Sequence, residues 1–345
     1  MNAEIHDVAF GGKGVARIDG MVVFVPFTIP GESAEIALTR RKKKFAEGRL
    51  LSVENASPDR VEPPCPYFTR CGGCAYQHIA YPRQLQLKQQ QVEQTLRRLG
   101  RLTDPVPMRP AVASPHPYGY RNRIRVHAAG GVIGFYAQDT RALLDIEACP
   151  LASGEVNTRL AELRRHPLAD GDYSVCERQP RFFEQTNDAV AAALLEEVSR
   201  IVTPGGRLVD AYCGAGFFSR HLRERYERVV GIEENTFAIA HARSQAMEYE
   251  RYITGDVGEH LAAVLAEPTP TSLILDPPAA GVAAPALETV LAGRPREILY
   301  VSCNPATLAR DLASLCPAYR LESVTPFDMF PQTAEIEVLA HLRLP

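Results

Sequence analysis

The chain has 345 residues, 46% of them apolar and 23% charged, with a formal net charge of −3 and 8 cysteines. A length of this order allows two or three domains, and no stretch approaches the roughly 20 consecutive apolar residues of a membrane-spanning helix. With no basic-then-apolar leader at the N-terminus, a cytoplasmic protein is expected; its cysteines are then not a disulfide framework, and any nucleic-acid contact must come from local clusters of cations.

Residues 1–55 hold short alternating or apolar segments, such as 21–26 and 34–38, punctuated by Gly11, Gly12, Gly14, Gly20 and Gly31. This pattern predicts a small β-barrel of the kind that often binds RNA. The unbroken run Arg40, Arg41, Lys42, Lys43, Lys44 is either a phosphate-binding patch or a solvated face.

Residues 56–180 carry Cys65, Cys71 and Cys74 in a C-x5-C-x2-C group, with Cys149 ahead of Pro150 far downstream. Thiolates close in sequence, spaced by glycines and joined by one distant cysteine, predict a four-thiolate iron–sulfur or zinc site, and spacing alone does not separate the two metals. A polar helix follows at 81–99, then strands at 122–128, 132–136 and 142–146. Arg121, Arg123 and Arg125 alternate, which on a strand puts all three on one face and makes them a second candidate phosphate contact.

From about Arg181 the pattern alternates helix and strand: a helix at 188–202, a strand at 207–211, a helix from Phe218 and a strand at 228–232. Such alternation predicts a mostly parallel sheet with helices on both faces. Asp210 ends the first strand, Gly214 and Gly216 let the backbone approach a ligand, and Glu233 ends the next strand where a carboxylate can accept both ribose hydroxyls. A third glycine, which a dinucleotide pyrophosphate would favour, is absent. The pattern Asp-x-Tyr-Cys-Gly-x-Gly-x-Phe resembles the S-adenosylmethionine site of class I methyltransferases, with Asp256 either meeting adenine or capping a helix. Asp276-Pro277-Pro278 ends another apolar strand, and Ser302-Cys303-Asn304-Pro305 sets one thiol between the apolar run 298–301 and a helix. A thiol at the mouth of such a sheet suits covalent catalysis on a nucleobase.

Taken together, Phe183-Glu184-Gln185-Thr186-Asn187, residues 210–216, Gly231-Ile232-Glu233, Asp276-Pro277-Pro278, residues 302–311 and Phe330-Pro331-Gln332-Thr333 through Glu337 resemble the RNA uracil-5-methyltransferase family over nearly the whole chain. The Cys65, Cys71, Cys74, Cys149 arrangement, followed by Gln77-His78 and residues 81–88, resembles the iron–sulfur members that modify 23S ribosomal RNA, and an N-terminal barrel of the TRAM type completes that layout. The resemblance implies an α/β fold: a Rossmann-like class I methyltransferase domain (181–345), an N-terminal TRAM/OB-like barrel (1–55) and a central α+β iron–sulfur domain (56–180). It implies S-adenosylmethionine and a [4Fe-4S] cluster as cofactors, RNA as partner, no membrane and no obligate protein partner.

Uracil C5 is a poor nucleophile until a thiolate adds at C6, and the resemblance gives that step to Cys303. It gives removal of the C5 proton to Glu337. Strand alternation puts Glu335 on the same face, so spacing does not choose between them. By the same match Gln185, Tyr212, Phe217, Glu233, Asp256 and Asp276 hold the cofactor, with Asp276 also orienting the base. Two positions depart from the family: Ala279 stands where Arg is common, and Gln332 where His is common. An RNA-binding protein whose methyltransferase domain has lost activity, a transfer-RNA enzyme, and methylation of cytosine C5 are the alternative readings.

Overall fold

The computed structural model describes residues 1–345 except Thr103, Asp104, Pro180, Arg181 and Phe183. The Arg181 boundary and the Phe183 position of the first motif therefore lie outside the described residues. The chain divides into two compact units, one of residues 1–91, 114–178 and 330–335, the other of 92–113, 179–329 and 336–345.

In the first unit, strands β1 (Asn2–Val8), β2 (Lys13–Ile18), β3 (Met21–Pro26), β4 (Ser33–Arg41) and β5 (Phe45–Asn55) close into a barrel of order β1-β2-β3-β5-β4. Side chains alternate in and out along β1, and Ile5, Ala16, Val23, Val25, Ile36 and Ala46 fill the interior. The loop between β3 and β4 is pinned by buried Glu32, which accepts from the amides of Ile29 (2.8 Å) and Ser57 (3.2 Å) and pairs with Arg60 (2.6 Å). Burial opposes ionisation here, yet Arg60 and those amides hold the Glu32 carboxyl below its ordinary range.

Helix α1 (Tyr81–Gly100) begins in this unit and ends in the second. Strands β6 (Arg123–Ala129), β7 (Val132–Tyr136) and β8 (Leu143–Asp145), with β9 (Gly171–Cys176), form an antiparallel sheet of order β8-β7-β6-β9. Helix α2 (Gly154–Leu163), capped by the Ser153 hydroxyl, packs Val156 and Leu160 against Ile124, Val126 and Val175 of that sheet.

The second unit runs α3 (Asp188–Ile201), β10 (Arg207–Ala211), α4 (Phe217–Leu222), β11 (Arg228–Glu233), α5 (Thr236–Ser244), β12 (Glu250–Thr254), α6 (Val257–Leu265), β13 (Thr271–Leu275), α7 (Ala284–Gly293), β14 (Glu297–Ser302), α8 (Pro305–Leu315), β15 (Arg320–Phe327) and β16 (Glu337–Arg343). Its seven-stranded sheet has the order β12-β11-β10-β13-β14-β16-β15, with only β16 antiparallel to its neighbours. Every residue of β10, β13 and β14 is buried, the expected state of parallel strands covered on both faces, which is why they read as unbroken apolar runs. The direction of strand order reverses between β10 and β13, and ligands of open α/β sheets bind beyond the carboxyl ends of strands at such a reversal.

Candidate functional site

The carboxyl ends of β10, β11, β13 and β14 carry the singled-out residues of this unit. Asp210 is fully buried in β10; its Oδ2 accepts the Ser219 amide at 2.9 Å, while Oδ1 has no hydrogen-bond partner among the described residues. Beyond it the chain turns sharply, with Tyr212 at φ +66°, Gly214 at +53° and Gly216 at +86°. A tyrosine in the left-handed region stores strain of order 1–3 kcal/mol, which persists only where the surroundings over-determine it. Glu233 at the end of β11 is one such constraint: its Oε2 accepts the Gly214 amide (3.1 Å) and its Oε1 the Asn235 amide (2.8 Å). Across the reversal, the Asp276 amide donates to the Ala211 carbonyl at 3.3 Å, so the Asp276 and Tyr212 backbones leave the sheet side by side.

The electrostatics of these strand ends are negative. Burial and then the neighbouring Glu233 push the Asp210 carboxyl up to about 7. Burial and then Asp210 raise Asp276 in the same direction. Burial, followed by Asp256, Asp311 and Glu234, pushes the Tyr212 phenol up to about 12. Carboxylates crowded at low dielectric favour a cationic ligand, whose charge relieves their repulsion. Asp256 is exposed and its Oδ1 accepts the Glu259 amide at 3.0 Å as the N-cap of α6. Phe217 opens α4, and half-buried Gln185 lies two residues before Asn187, the N-cap of α3.

Cys303 is exposed in the turn between β14 and Asn304, the N-cap of α8. That turn is tied to the segment after Asp276: Asn304 Nδ2 and Thr307 Oγ1 both donate to the Ala279 carbonyl, each at 3.1 Å. Beneath it lies a buried network that motif reading did not identify. Asp311, fully buried, accepts from Tyr300 Oη (2.6 Å), the Val282 amide (2.9 Å) and Arg310 Nε (2.7 Å), and Arg310 Nη2 donates to the Ala280 carbonyl at 3.0 Å. Gly281 sits in this knot at φ +77°, where a Cβ would come within 2.6 Å of Arg310 and 2.7 Å of Asp311. The Ala279 departure thus falls in a segment whose carbonyls are held by residues of α8.

The two candidate glutamates separate cleanly. Residue 335 lies before the strand, exposed, whereas Glu337 is the first residue of β16 and is 4% exposed. Strand pairing sets Ser302 opposite Val338, so Glu337 stands at the same end of the paired strands as Cys303. Alternation failed here because the strand begins two residues later than it assumed. The other departure, Gln332, is spent on the first unit: at φ +69° its carbonyl accepts the Ala75 and Tyr76 amides, and it exchanges two hydrogen bonds with Gln84 (2.9 and 3.2 Å).

The four singled-out cysteines converge within the first unit. Cys65, Cys71, Cys74 and Cys149 line one cavity of about 220 Å³, walled by Phe68, Ile124, Phe135 and Ile146. Burial, then mutual repulsion, raises the thiols of Cys71 and Cys74, Cys74 to about 12; burial raises Cys149. Among the described residues, no three His, Cys, Asp or Glu side chains stand close enough to hold a single metal ion. Of the three alternating arginines, Arg123 and Arg125 fall two apart on β6 and so share a face, whereas Arg121 does not join them. Arg121 precedes β6 and lines the cysteine cavity, its guanidinium 5.9 Å from the Tyr120 and Phe330 ring centres, and Arg125 pairs with Asp172. By contrast, residues 40–44 are all exposed around the β4–β5 turn. None of the described helices is long and apolar enough to cross a membrane.

Comparison with known proteins agrees with this geometry. Residues 165–343 match the family tRNA (Uracil-5-)-methyltransferase and residues 1–51 match the TRAM domain. An uncharacterised RNA methyltransferase of Gloeobacter violaceus is 31% identical over 98% of this chain and 95% of its own length. One of Bdellovibrio bacteriovorus is 31% identical over 99% and 94%. Among solved structures, the Pyrococcus abyssi tRNA (uracil-54, C5)-methyltransferase in complex with S-adenosyl-L-homocysteine is 25% identical, with a TM-score of 0.76 covering 99% of this chain and 100% of that one. With its strand-end carboxylates, its thiol turn and these matches, the chain belongs to the tRNA (uracil-5-)-methyltransferase family of S-adenosylmethionine-dependent RNA methyltransferases and carries an N-terminal TRAM domain.

Proposed function

We propose that this enzyme methylates C5 of a uridine in RNA, 23S ribosomal RNA being the first candidate, through a covalent adduct with Cys303. The observation that carries the reading is the exposed Cys303 thiol standing with buried Glu337 at one end of the β14–β16 pair, beside the Asp276 strand end. Gln185, Tyr212, Phe217, Glu233, Asp256 and Asp276 hold S-adenosylmethionine, whose positive sulfonium suits the negative field there and which supplies an electrophilic methyl group and leaves as S-adenosylhomocysteine. The Cys303 thiolate adds to uracil C6, forming the S–C6 bond and moving the C5–C6 π electrons onto C5 and the O4 enolate. C5 then takes the methyl group. Glu337 removes the C5 proton, and the electrons of that C–H bond restore C5=C6 as the S–C6 bond breaks and Cys303 leaves as thiolate.

The base must leave its stack to reach Cys303, at a cost of a few kcal/mol that protein contacts offset. Residues 1–55, 56–180 and 181–345 act as RNA-binding barrel, cluster domain and catalytic domain, with the exposed basic run at residues 40–44 meeting phosphate. Cys65, Cys71, Cys74 and Cys149 would hold a [4Fe-4S] cluster as its thiolate ligands, a reading supported by the four thiols lining one cavity of about 220 Å³. Such a cluster would serve folding of the first unit.

The test uses ribosomal and transfer RNA transcripts carrying tritium at uracil C5, with S-adenosylmethionine and either wild-type protein or Cys303→Ala. Tritium release by wild type alone supports C5 substitution through Cys303, and the RNA that releases it names the substrate class. Release from transfer RNA only would favour the second reading, which the substrate named for the Pyrococcus abyssi relative motivates. No release from either RNA, with cofactor bound, would sink the proposal.

A further inference from the structure

Two polar side chains of the cysteine cavity are not accounted for by holding a metal. Gln77 is fully buried and lines the cavity, and apart from Cys74 neither its Nε2 nor its Oε1 has a hydrogen-bond partner among the described residues. It lies near enough to Cys74 to favour that residue's thiolate. Arg121, held between the Tyr120 and Phe330 rings and donating from Nε to Tyr120 Oη at 3.4 Å, places its cation near Cys74 and Cys149. The other cation on the cavity wall, Arg125, is already paired with Asp172. A buried amide short of partners calls for an explanation, a bound group among them, and in an apolar cavity a nearby cation acts at low dielectric.

Resting on the cluster reading above, we propose that Gln77 and Arg121 set the electrostatics of the iron–sulfur centre: the Gln77 N–H donates to sulfur at the Cys74 corner, and Arg121 is the counter-cation. Both favour the reduced cluster, which has gained one electron from a one-electron reductant and hence one negative charge. Hydrogen bonds to the sulfurs and local charge are among the principal determinants of cluster potential.

The experiment compares full-length wild type, Gln77→Leu, Arg121→Met and Arg121→Lys after anaerobic reconstitution with iron and sulfide. Iron and sulfide content and circular dichroism are measured, then the midpoint potential by dithionite titration followed by absorbance and electron paramagnetic resonance. Gln77→Leu and Arg121→Met each shift the reduced-to-oxidised ratio about tenfold toward oxidised at fixed potential, roughly 59 mV more negative for a one-electron couple. Arg121→Lys recovers most of the shift. If Gln77→Leu fails to fold, Gln77→Met, which is unbranched and lacks the donor, takes its place. Loaded, folded variants with the wild-type potential would overturn this inference while leaving the cluster intact. Wild type that retains no iron or sulfide would overturn the cluster reading and this inference with it.

Discussion

The Asp311 network makes the sharpest prediction. In Asp311→Ala, the Tyr300 hydroxyl and the Val282 amide lose their acceptor inside the protein, whereas Arg310, about half exposed, turns to water. Two orphaned buried donors at about 1–3 kcal/mol each predict a loss of about 2–6 kcal/mol. That is a large part of a typical total of about 5–15 kcal/mol. Tyr300→Phe removes one hydrogen bond to a charged group and leaves Asp311 two donors, so it costs about 1.5–3 kcal/mol. At about 2–4 °C per kcal/mol for a cooperative unit of some 150–250 residues, the size class of the second unit, its unfolding midpoint falls by roughly 3–12 °C. Because the same network ties the segment after Asp276 to the helix after Cys303, methyl transfer assayed below the melting range should also fall. A misplacement of about 1 Å costs on the order of 100-fold, and that is the scale expected for Asp311→Ala. Urea unfolding of both single variants and the double variant supplies the energies, and the double should lose less than the sum because the groups are partners. Two single variants within about 0.5 kcal/mol of wild type, with unchanged turnover, would refute the network as the anchor of the site.

Gly281→Ala should reproduce the turnover defect from the opposite direction, since its Cβ would meet Arg310 and Asp311 at 2.6 and 2.7 Å in a left-handed backbone; normal activity would count against the same reasoning. Glu297 is 1% exposed and accepts from Thr203, Ser272 and, at 3.1 Å, His341; although burial opposes it, these donors hold its carboxyl below the ordinary range. Its contribution is therefore present above the unfolded carboxylate range and is lost as pH falls through the depressed folded value, and Glu297→Gln should lose about 3–5 kcal/mol at neutral pH with a flatter acid limb. Asp210 and Asp276 have the opposite sign: raised folded values favour the protonated forms, so their contribution to stability is lost as pH climbs from the ordinary carboxylate range through about 7. A cationic cofactor favours the ionised forms, so binding should release protons near pH 7 and weaken below it. Calorimetry in two buffers of different ionisation enthalpy checks this, and identical heats would count against it. Gly231→Ala should destabilise the fold by about 1–3 kcal/mol, because its Cβ would lie 2.5 Å from the Tyr252 ring and 2.8 Å from Cys213 Sγ.

Much of the second unit was legible in the sequence because its signals are local. A strand buried on both faces is a short apolar run, a turn that must go left-handed carries glycine, and an N-cap carries Asn or Asp; β10, β13, β14 and the Asn304 cap follow from such rules within a residue or two. The cysteine spacing was local enough to mark Cys65, Cys71 and Cys74 as a group, and the tertiary fold brought Cys149 to the same cavity. What only the tertiary structure decided is non-local. The family match favoured Glu337, but that Glu335 stands outside the strand depends on where β16 begins its pairing with β14, and a period-two pattern carries no information about where a strand starts. Arg121 reads as one of three alternating cations, but its place is set by Tyr120, Phe330 and the cysteines, two of which are far from it in sequence. Gln77 and Asp311 fall inside the motifs that carry the resemblance, but a motif does not say what either side chain touches. Burial is what makes the first a donor short of partners and the second the centre of a network, and burial is a property of the packed chain.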